Sequence, residues 1–279
     1  NACSFFVALK GRKRGKNMGT EQYTVGVVTT RERTESTIRF ITYYANNVAL
    51  WEAGKEAKMS GKLIVFEGTD GSGKATQTKL LCRYLEQYGI PYRKVDFPRY
   101  GQPSAAMVQE YLAGNLGKHP GDVNAYAASL FYAVDRYASY RQDWGKFYES
   151  GGLIVADRYT TSNAVHQAAK LPDAERKPYL DWLFDIEYRL LGLPKPDLVV
   201  YLEMPTLLTE QMLRRREQST GAQADIHEQD EEYLEHCHTN AEEVARLCSW
   251  SVIHCASGGK PRSPEDIHRQ VLELAMKIL

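Results

Sequence analysis

GTDGSGKATQ, Gly68 to Gln77, follows the apolar run KLIVFE and leads into a stretch with helical spacing. Gly68, Gly73 and Lys74 keep the frame of a phosphate-binding loop: glycine, four residues, glycine, lysine. Glycines let backbone N–H groups turn toward phosphate oxygens, and the helix N-terminus adds positive potential. A lysine at position 74 reaches the outer phosphates of a nucleoside triphosphate. Ala75 departs from the frame, since Ser or Thr would offer magnesium a hydroxyl there. The loop is therefore either working with a substitute for that hydroxyl or inactive.

The sequence around the loop favours a working fold. ATQTKLLCRYLEQYG carries Leu80, Leu81, Tyr84, Leu85 and Tyr88 at helical spacing, with Gly89 as its stop. YRKVDF, GGLIVADRY, PDLVVYLEMP and SVIHCAS read as four further strands. Helices are expected over 104–113, 123–148, 173–190, 206–216 and 230–247, and in SPEDIHRQVLELAMKIL at the end. There Ser263 and Asp266 form a capping box and Pro264 suits the first helical position. Strands alternating with helices predict an α/β protein: a five-stranded parallel sheet covered by helices on both faces, with ligands at the carboxyl ends of the strands.

Two of those ends carry suitable chemistry. Asp157-Arg158-Tyr159 places a carboxylate where it would hold a magnesium-bound water, beside an arginine able to grip a second phosphate. Asp96-Phe97-Pro98-Arg99-Tyr100-Gly101 offers an arginine and a phenol after a turn fixed by proline. A surface ion pair and a solvated Pro-Gly turn are the alternatives for these segments taken singly.

Composition narrows the class. Lys plus Arg and Asp plus Glu both number 35 in 279 residues, so no bulk charge draws the chain to nucleic acid or to membrane. No apolar run approaches the ~18 residues of a spanning helix. Five cysteines, an odd number without a CxxC, argue against a disulfide framework and for a reducing, cytoplasmic setting. His236-Cys237-His238 with Cys248, His254 and Cys255 fits no common zinc spacing, so ordinary packing is expected. Residues 1–58 carry TVGVVTT and STIRFITYYANNVALWE, enough for a strand or two and a short helix, but no motif. They are expected to be an extension outside the catalytic fold, with the domain beginning at Met59 and running to 279.

Taken in order, EGTDGSGKATQ, DFPRYGQPSAA, VNAYAASLFYAVDRYASY and DRYTTSNAVHQ resemble the motifs of bacterial thymidylate kinases, members of the nucleoside monophosphate kinase group of P-loop proteins. The resemblance runs from about Met59 to the end. It implies transfer of the ATP γ-phosphate to dTMP with Mg2+, giving dTDP for dTTP synthesis. Gly68, Thr69, Gly71, Ser72, Gly73, Lys74, Ala75 and Thr76 then match the ATP phosphate site. Asp70 matches a carboxylate near the deoxyribose 3′-hydroxyl and the metal, and Asp157 a second metal-side carboxylate acting through water. Phe131 matches the ring stacked on thymine, Arg136 the donor to a thymine carbonyl, and Asn163 a polar contact to the base. Arg158, Arg99 and Tyr100, with Phe97 beside them, resemble the clamp on the dTMP phosphate.

His166 stands where many relatives carry a tyrosine near the sugar, which leaves the exclusion of ribose open. LRRREQSTGAQADIHEQD, about 214–230, is expected to be a mobile lid over ATP, with Arg216 favoured among Arg214–Arg216 as its catalytic arginine and His227 and Glu228 in the same stretch. Such kinases pair as homodimers, and the broad apolar surface of VNAYAASLFYAVDRYASY permits that. The alternatives are a related (deoxy)nucleoside monophosphate kinase and a catalytically weak nucleotide-binding module, for which Ala75 is the best argument.

Overall fold

Leu63, Ile64, Val65 and Phe66 are fully shielded from solvent. This is what a strand covered by helices on both faces requires, and each such side chain contributes about 1.5–3 kcal/mol through burial. They form most of β3 (Lys62–Glu67), the middle strand of the sheet, in a computed structural model. It describes residues 60–209, 211–212, 225–227 and 230–279, and the backbone of two strands near the N-terminus. The chain divides into two compact units, Asn1–Met59 together with Leu279, and Ser60–Ile278. In the first, β1 (Cys3–Lys10) pairs antiparallel with β2 (Tyr23–Thr30), which contains TVGVVTT. The short helix expected there lies outside the described residues.

In the second unit β4 (Tyr92–Asp96), β5 (Leu153–Asp157), β6 (Leu198–Glu203) and β7 (Ser251–His254) complete a parallel sheet in the order β4-β5-β3-β6-β7. All five expected strands are present. Register brings their carboxyl ends together: Asp96 lies opposite Asp157, Asp157 opposite Phe66, and Glu203 opposite His254. Each of the five strands thus ends in a titratable residue, Glu67, Asp96, Asp157, Glu203 or His254.

The helices are α1 (Lys74–Gln87), α2 (Ala106–Leu112), α3 (Ala125–Ser139), α4 (Gly145–Glu149), α5 (Thr160–His166), α6 (Asp173–Phe184), α7 (Glu231–Leu247) and α8 (Pro264–Ala275). Gly89, at φ 65°, closes α1 in a Schellman motif, with Gly89 N–H donating to Glu86 O and Ile90 N–H to Leu85 O. Ser263 caps α8 by accepting from the Asp266 N–H at 3.1 Å. The single helix expected over 123–148 is instead α3 and α4 joined by a π-turn at Tyr140–Trp144. The wider turn seats Trp144 in the core, where its indole N–H donates to Ser139 Oγ. Residues 206–209 and 211–212 are helical as expected, and the remainder of that helix lies outside the described residues. Ala256–Ser257 and Lys260–Pro261 add a small hairpin that no sequence signal indicated.

Leu81 of α1 is fully buried, whereas Tyr88 just past the helix is 55% exposed. Leu81→Ala is expected to lower unfolding stability by about 2–5 kcal/mol, and Tyr88→Ala to stay within about 0.5 kcal/mol, as read by urea titration of helical circular dichroism.

Candidate active site

Gly68 opens the loop where the backbone runs hard against β6. A Cβ there would lie 2.5 Å from Ser72 Oγ and 2.8 Å from Leu202 O, so only glycine fits. Its N–H donates to Glu67 Oε1 at 3.0 Å. The other Glu67 oxygen accepts from Thr161 Oγ1 and Ser162 Oγ, both at 2.7 Å. A fully buried carboxylate is thus satisfied by the loop on one side and by α5 on the other.

Lys74 lies at the first position of α1 and turns back into the loop. Its Nζ donates to Gly68 O at 2.9 Å and Thr69 O at 3.0 Å, with Asp70 Oδ1 at 3.5 Å. Burial lowers its pKa, Arg158 lowers it further, and Asp70 and Asp157 oppose both.

Arg158 takes φ 65°, a left-handed conformation uncommon outside glycine, immediately after β5. That bend carries its guanidinium over the loop. It donates to Asp70 Oδ1 at 2.5 Å and to Ser162 Oγ at 3.2 Å, and lies 3.5 Å from Glu67 Oε1. Burial pushes the Asp70 carboxyl up, but Arg158, Lys74 and His166 outweigh it and hold the group well below the usual carboxylate range. Asp157, on the same strand end, is pushed the other way by its burial, which Lys74 and Arg158 only partly offset.

Asp70, Lys74, Asp157, Arg158 and Ser162 line a cavity of about 910 Å3 that also includes Asn163. Among the expected residues, Asp70, Gly71, Gly73, Lys74, Ala75, Thr76, Phe97, Tyr100, Arg136, Asp157, Arg158, Asn163 and His166 all reach its wall. Arg99 does not. Its Nε and N–H both donate to the buried carboxylate of Asp135, and its Nη2 to Ser104 Oγ. Phe131 does not either: it packs beside Tyr111 with ring centroids 6.5 Å apart, and Tyr132 is the α3 aromatic on the wall. Tyr132 is four residues before Arg136 and so shares its helix face; Phe131, five before, points away. That spacing was the signal that separates the two rings. Arg216, Arg214, Arg215 and Glu228 lie outside the described residues.

Sequence reasoning missed Glu187. Fully buried, it accepts from Arg136 Nε at 2.7 Å and Nη2 at 2.5 Å, and from Thr160 Oγ1 at 2.7 Å. Asn163 Nδ2 adds bonds of 3.2 Å to Ser129 O and 3.5 Å to Glu187 Oε1. The partner sits 51 residues from Arg136, and no local pattern marks it.

The thymidylate kinase family model matches residues 66–270. The chain belongs to the thymidylate kinase family. It is 35% identical to the thymidylate kinase of Mycobacterium tuberculosis over 172 residues, 61% of this chain and 79% of that one. With the thymidylate kinase of Symbiobacterium thermophilum it shares 28% identity over 219 residues, 77% and 93% of the two chains. A solved structure described as thymidylate kinase from Candida albicans, with the origin of its broad substrate specificity and a novel structural element, overlays with a TM-score of 0.57 at 20% identity, covering 78% of this chain and 92% of that one; this likeness supports the fold.

In this family member a histidine pair closes one side of the cavity. His166 Nε2 lies 3.2 Å from Arg158 Nη1. A guanidinium only donates, so this nitrogen carries the lone pair. His227 stacks on His166 with centroids 5.9 Å apart, and its Nε2 meets the Tyr111 hydroxyl at 2.7 Å. Lys170 Nζ donates to the same hydroxyl at 2.7 Å, and burial holds its pKa down to about 7. Burial, then Arg158 and His227, hold His166 well below its ordinary value, and burial with Lys170 brings His227 down to about 3.

Both rings are therefore neutral in the folded chain at pH 7. As pH falls below about 6.5 the unfolded chain takes up these protons first. The stability that neutral His166 and His227 confer is intact above that value and is lost progressively as the pH drops toward the depressed folded values. Urea unfolding at pH 7.5 and pH 5 is expected to show a loss of roughly 2 kcal/mol from His227, with a further loss from His166, and His227→Gln is expected to flatten the profile.

Proposed function

We propose that the chain transfers the γ-phosphoryl group of ATP to dTMP, giving ADP and dTDP, as the names of its relatives suggest. The observation that carries this reading is the single cavity in which the phosphate loop and Lys74 share a wall with Arg158, Arg136, Asn163 and Tyr132. One end suits polyphosphate and the other a flat base with carbonyl groups.

Loop N–H groups and Lys74 would bind the ATP phosphates and take up charge as the γ-phosphoryl moves. Arg158, already held by Asp70 and Glu67, would meet the acceptor phosphate in a fixed orientation, with Tyr100 beside it. Two nucleotides presented in one cavity react with the advantage of proximity rather than as a chance encounter. Tyr132 replaces Phe131 in our assignment of the ring that stacks on thymine. Arg136, clamped by Glu187, would offer its remaining N–H groups to a base carbonyl, with Asn163 adjacent. His166 would face the sugar.

The donor set fits a hard cation. Asp157, whose burial disfavours its charge, is the register partner of Asp96 across β4 and β5, and both line the cavity wall, with Asp96 also paired to Lys94 Nζ at 2.8 Å. Asp157 and Asp96 would hold Mg2+ through water, and the ion would neutralise charge on the transferring phosphates. Asp70, engaged by Arg158 and Lys74, serves better as an orienting group than as a ligand.

A second copy of the chain would pack on α3. Tyr126, Leu130, Val134 and Tyr137 form an exposed apolar stripe along it at helical spacing. We propose a cytoplasmic setting for the enzyme, from the odd number of cysteines and the lack of a CxxC. We assign the reaction to the unit from Ser60 onward and leave residues 1–58 outside it.

A coupled assay with ATP and a panel of dTMP, dUMP, UMP, CMP and thymidine is expected to show turnover with dTMP foremost. No product with any acceptor from folded protein would favour the nucleotide-binding module instead. Asp157→Asn is expected to lower kcat by roughly 10²-fold, and Ala75→Ser to change it much less. Sedimentation at micromolar concentration is expected to show a dimer that Val134→Glu converts to monomer; a monomeric parent chain would remove the α3 pairing.

A further inference from the structure

Glu203 and His254 end the two strands farthest from β4, and register sets them side by side. α7 crosses above them and presents His238 and Glu242, one turn apart on one face. His238 Nε2 lies 4.0 Å from Glu203 Oε1 and 3.6 Å from Glu242 Oε1. The nearest ligand atoms of Glu203, His238 and Glu242 all fall within 4.8 Å of one another. The second Glu203 oxygen meets His254 Nδ1 at 2.8 Å. A cavity of about 480 Å3, lined by Glu203, Glu242 and His254 among others, opens beside this group.

We propose that Glu203, His238 and Glu242 form a binding site for a divalent transition-metal ion of the zinc type, with His254 placed to become a fourth ligand. In a tetrahedral site with ligands about 2.1 Å from the ion, neighbouring ligand atoms sit about 3.4 Å apart. The His238–Glu242 separation is already close to that, and the Glu203–His238 separation needs a shift of several tenths of an ångström. His254 is 76% exposed on its side chain and can turn from its hydrogen bond with Glu203 without disturbing the core. Two carboxylates balance the charge of a dication. Imidazole in the set favours Zn2+, Co2+ or Ni2+ over Mg2+, which takes an octahedron of oxygens. The site is therefore chemically distinct from the Asp157–Asp96 pair.

The cysteines that made this region suggestive in the sequence stay out of it. Cys237 and Cys255 are fully buried in the core, where burial pushes both thiols up to about 12. Two features moderate the affinity. Arg246, one turn beyond Glu242, lines the same cavity and adds positive charge. His238 Nδ1 has no hydrogen-bond partner among the described residues, so the ring lacks the second contact that strengthens metal-bound imidazoles. Micromolar rather than tighter binding follows.

The test uses the full chain, stripped of metal with a chelator. Zn2+ is titrated calorimetrically, and Co2+ is followed by its visible absorption, both in excess Mg2+ to occupy hard-cation sites. We expect one zinc per chain with micromolar affinity, a cobalt band of tetrahedral type and a zinc-dependent rise in Tm. His238→Ala and Glu242→Gln are each expected to weaken zinc binding about tenfold or more. Glu242 is half-exposed, so that variant keeps its fold, which an unchanged metal-free Tm verifies. Zinc binding weaker than millimolar, or equally tight in both variants, would overturn the proposal.

Discussion

The bridge from Arg158 to Asp70 and Glu67 organises the phosphate end of the molecule. Arg158 lies at the end of β5, the two carboxylates in and just before the loop that follows β3, and the left-handed bend at Arg158 is what closes the distance. Removing one partner would leave buried charge without compensation, which is far more destabilising than the net strength of the contact. Through Glu67 the same group reaches the hydroxyls of Thr161 and Ser162, and through His166 it reaches the histidine pair. Loop, strand ends and α5 are thereby one hydrogen-bonded body.

The end of the cavity proposed for the base rests on a second buried ion pair, Arg136 with Glu187. Two parallel N–H to oxygen bonds fix the plane of the guanidinium, and Thr160 and Asn163 complete the surroundings of the carboxylate. An arginine held in this way offers donors whose direction is set before a ligand arrives. Preorganisation of that kind suits recognition of a flat heterocycle, where a small tilt breaks a carbonyl contact.

Much of this was legible in the sequence because local patterns dictate it. A glycine loop between an apolar strand and an amphipathic helix has few other structural meanings, and five strand-helix alternations determine the parallel sheet. The cap at Ser263 and the stop at Gly89 depend on nearest neighbours and are read with equal ease. What escaped was long-range or rotational. Glu187 lies outside every motif, 51 residues along the chain from Arg136, although it folds directly against Arg136 and Thr160. Arg99 answers to Asp135 rather than to the cavity, and Tyr132 rather than Phe131 reaches the cavity wall because one residue on a helix is a turn of about 100°. The gathering of Glu203, His238 and Glu242 depends on where α7 crosses β6, which no spacing within the chain encodes.

The contact between Gly68 and Leu202 has a mechanical meaning. No side chain separates the first residue of the phosphate loop from the backbone of β6, and Glu203 is the next residue along. Close-packed backbone does not compress. The loop therefore rides on the end of that strand as on a rigid seat. A force that displaces β6 at its carboxyl end is passed directly to the start of the phosphate loop.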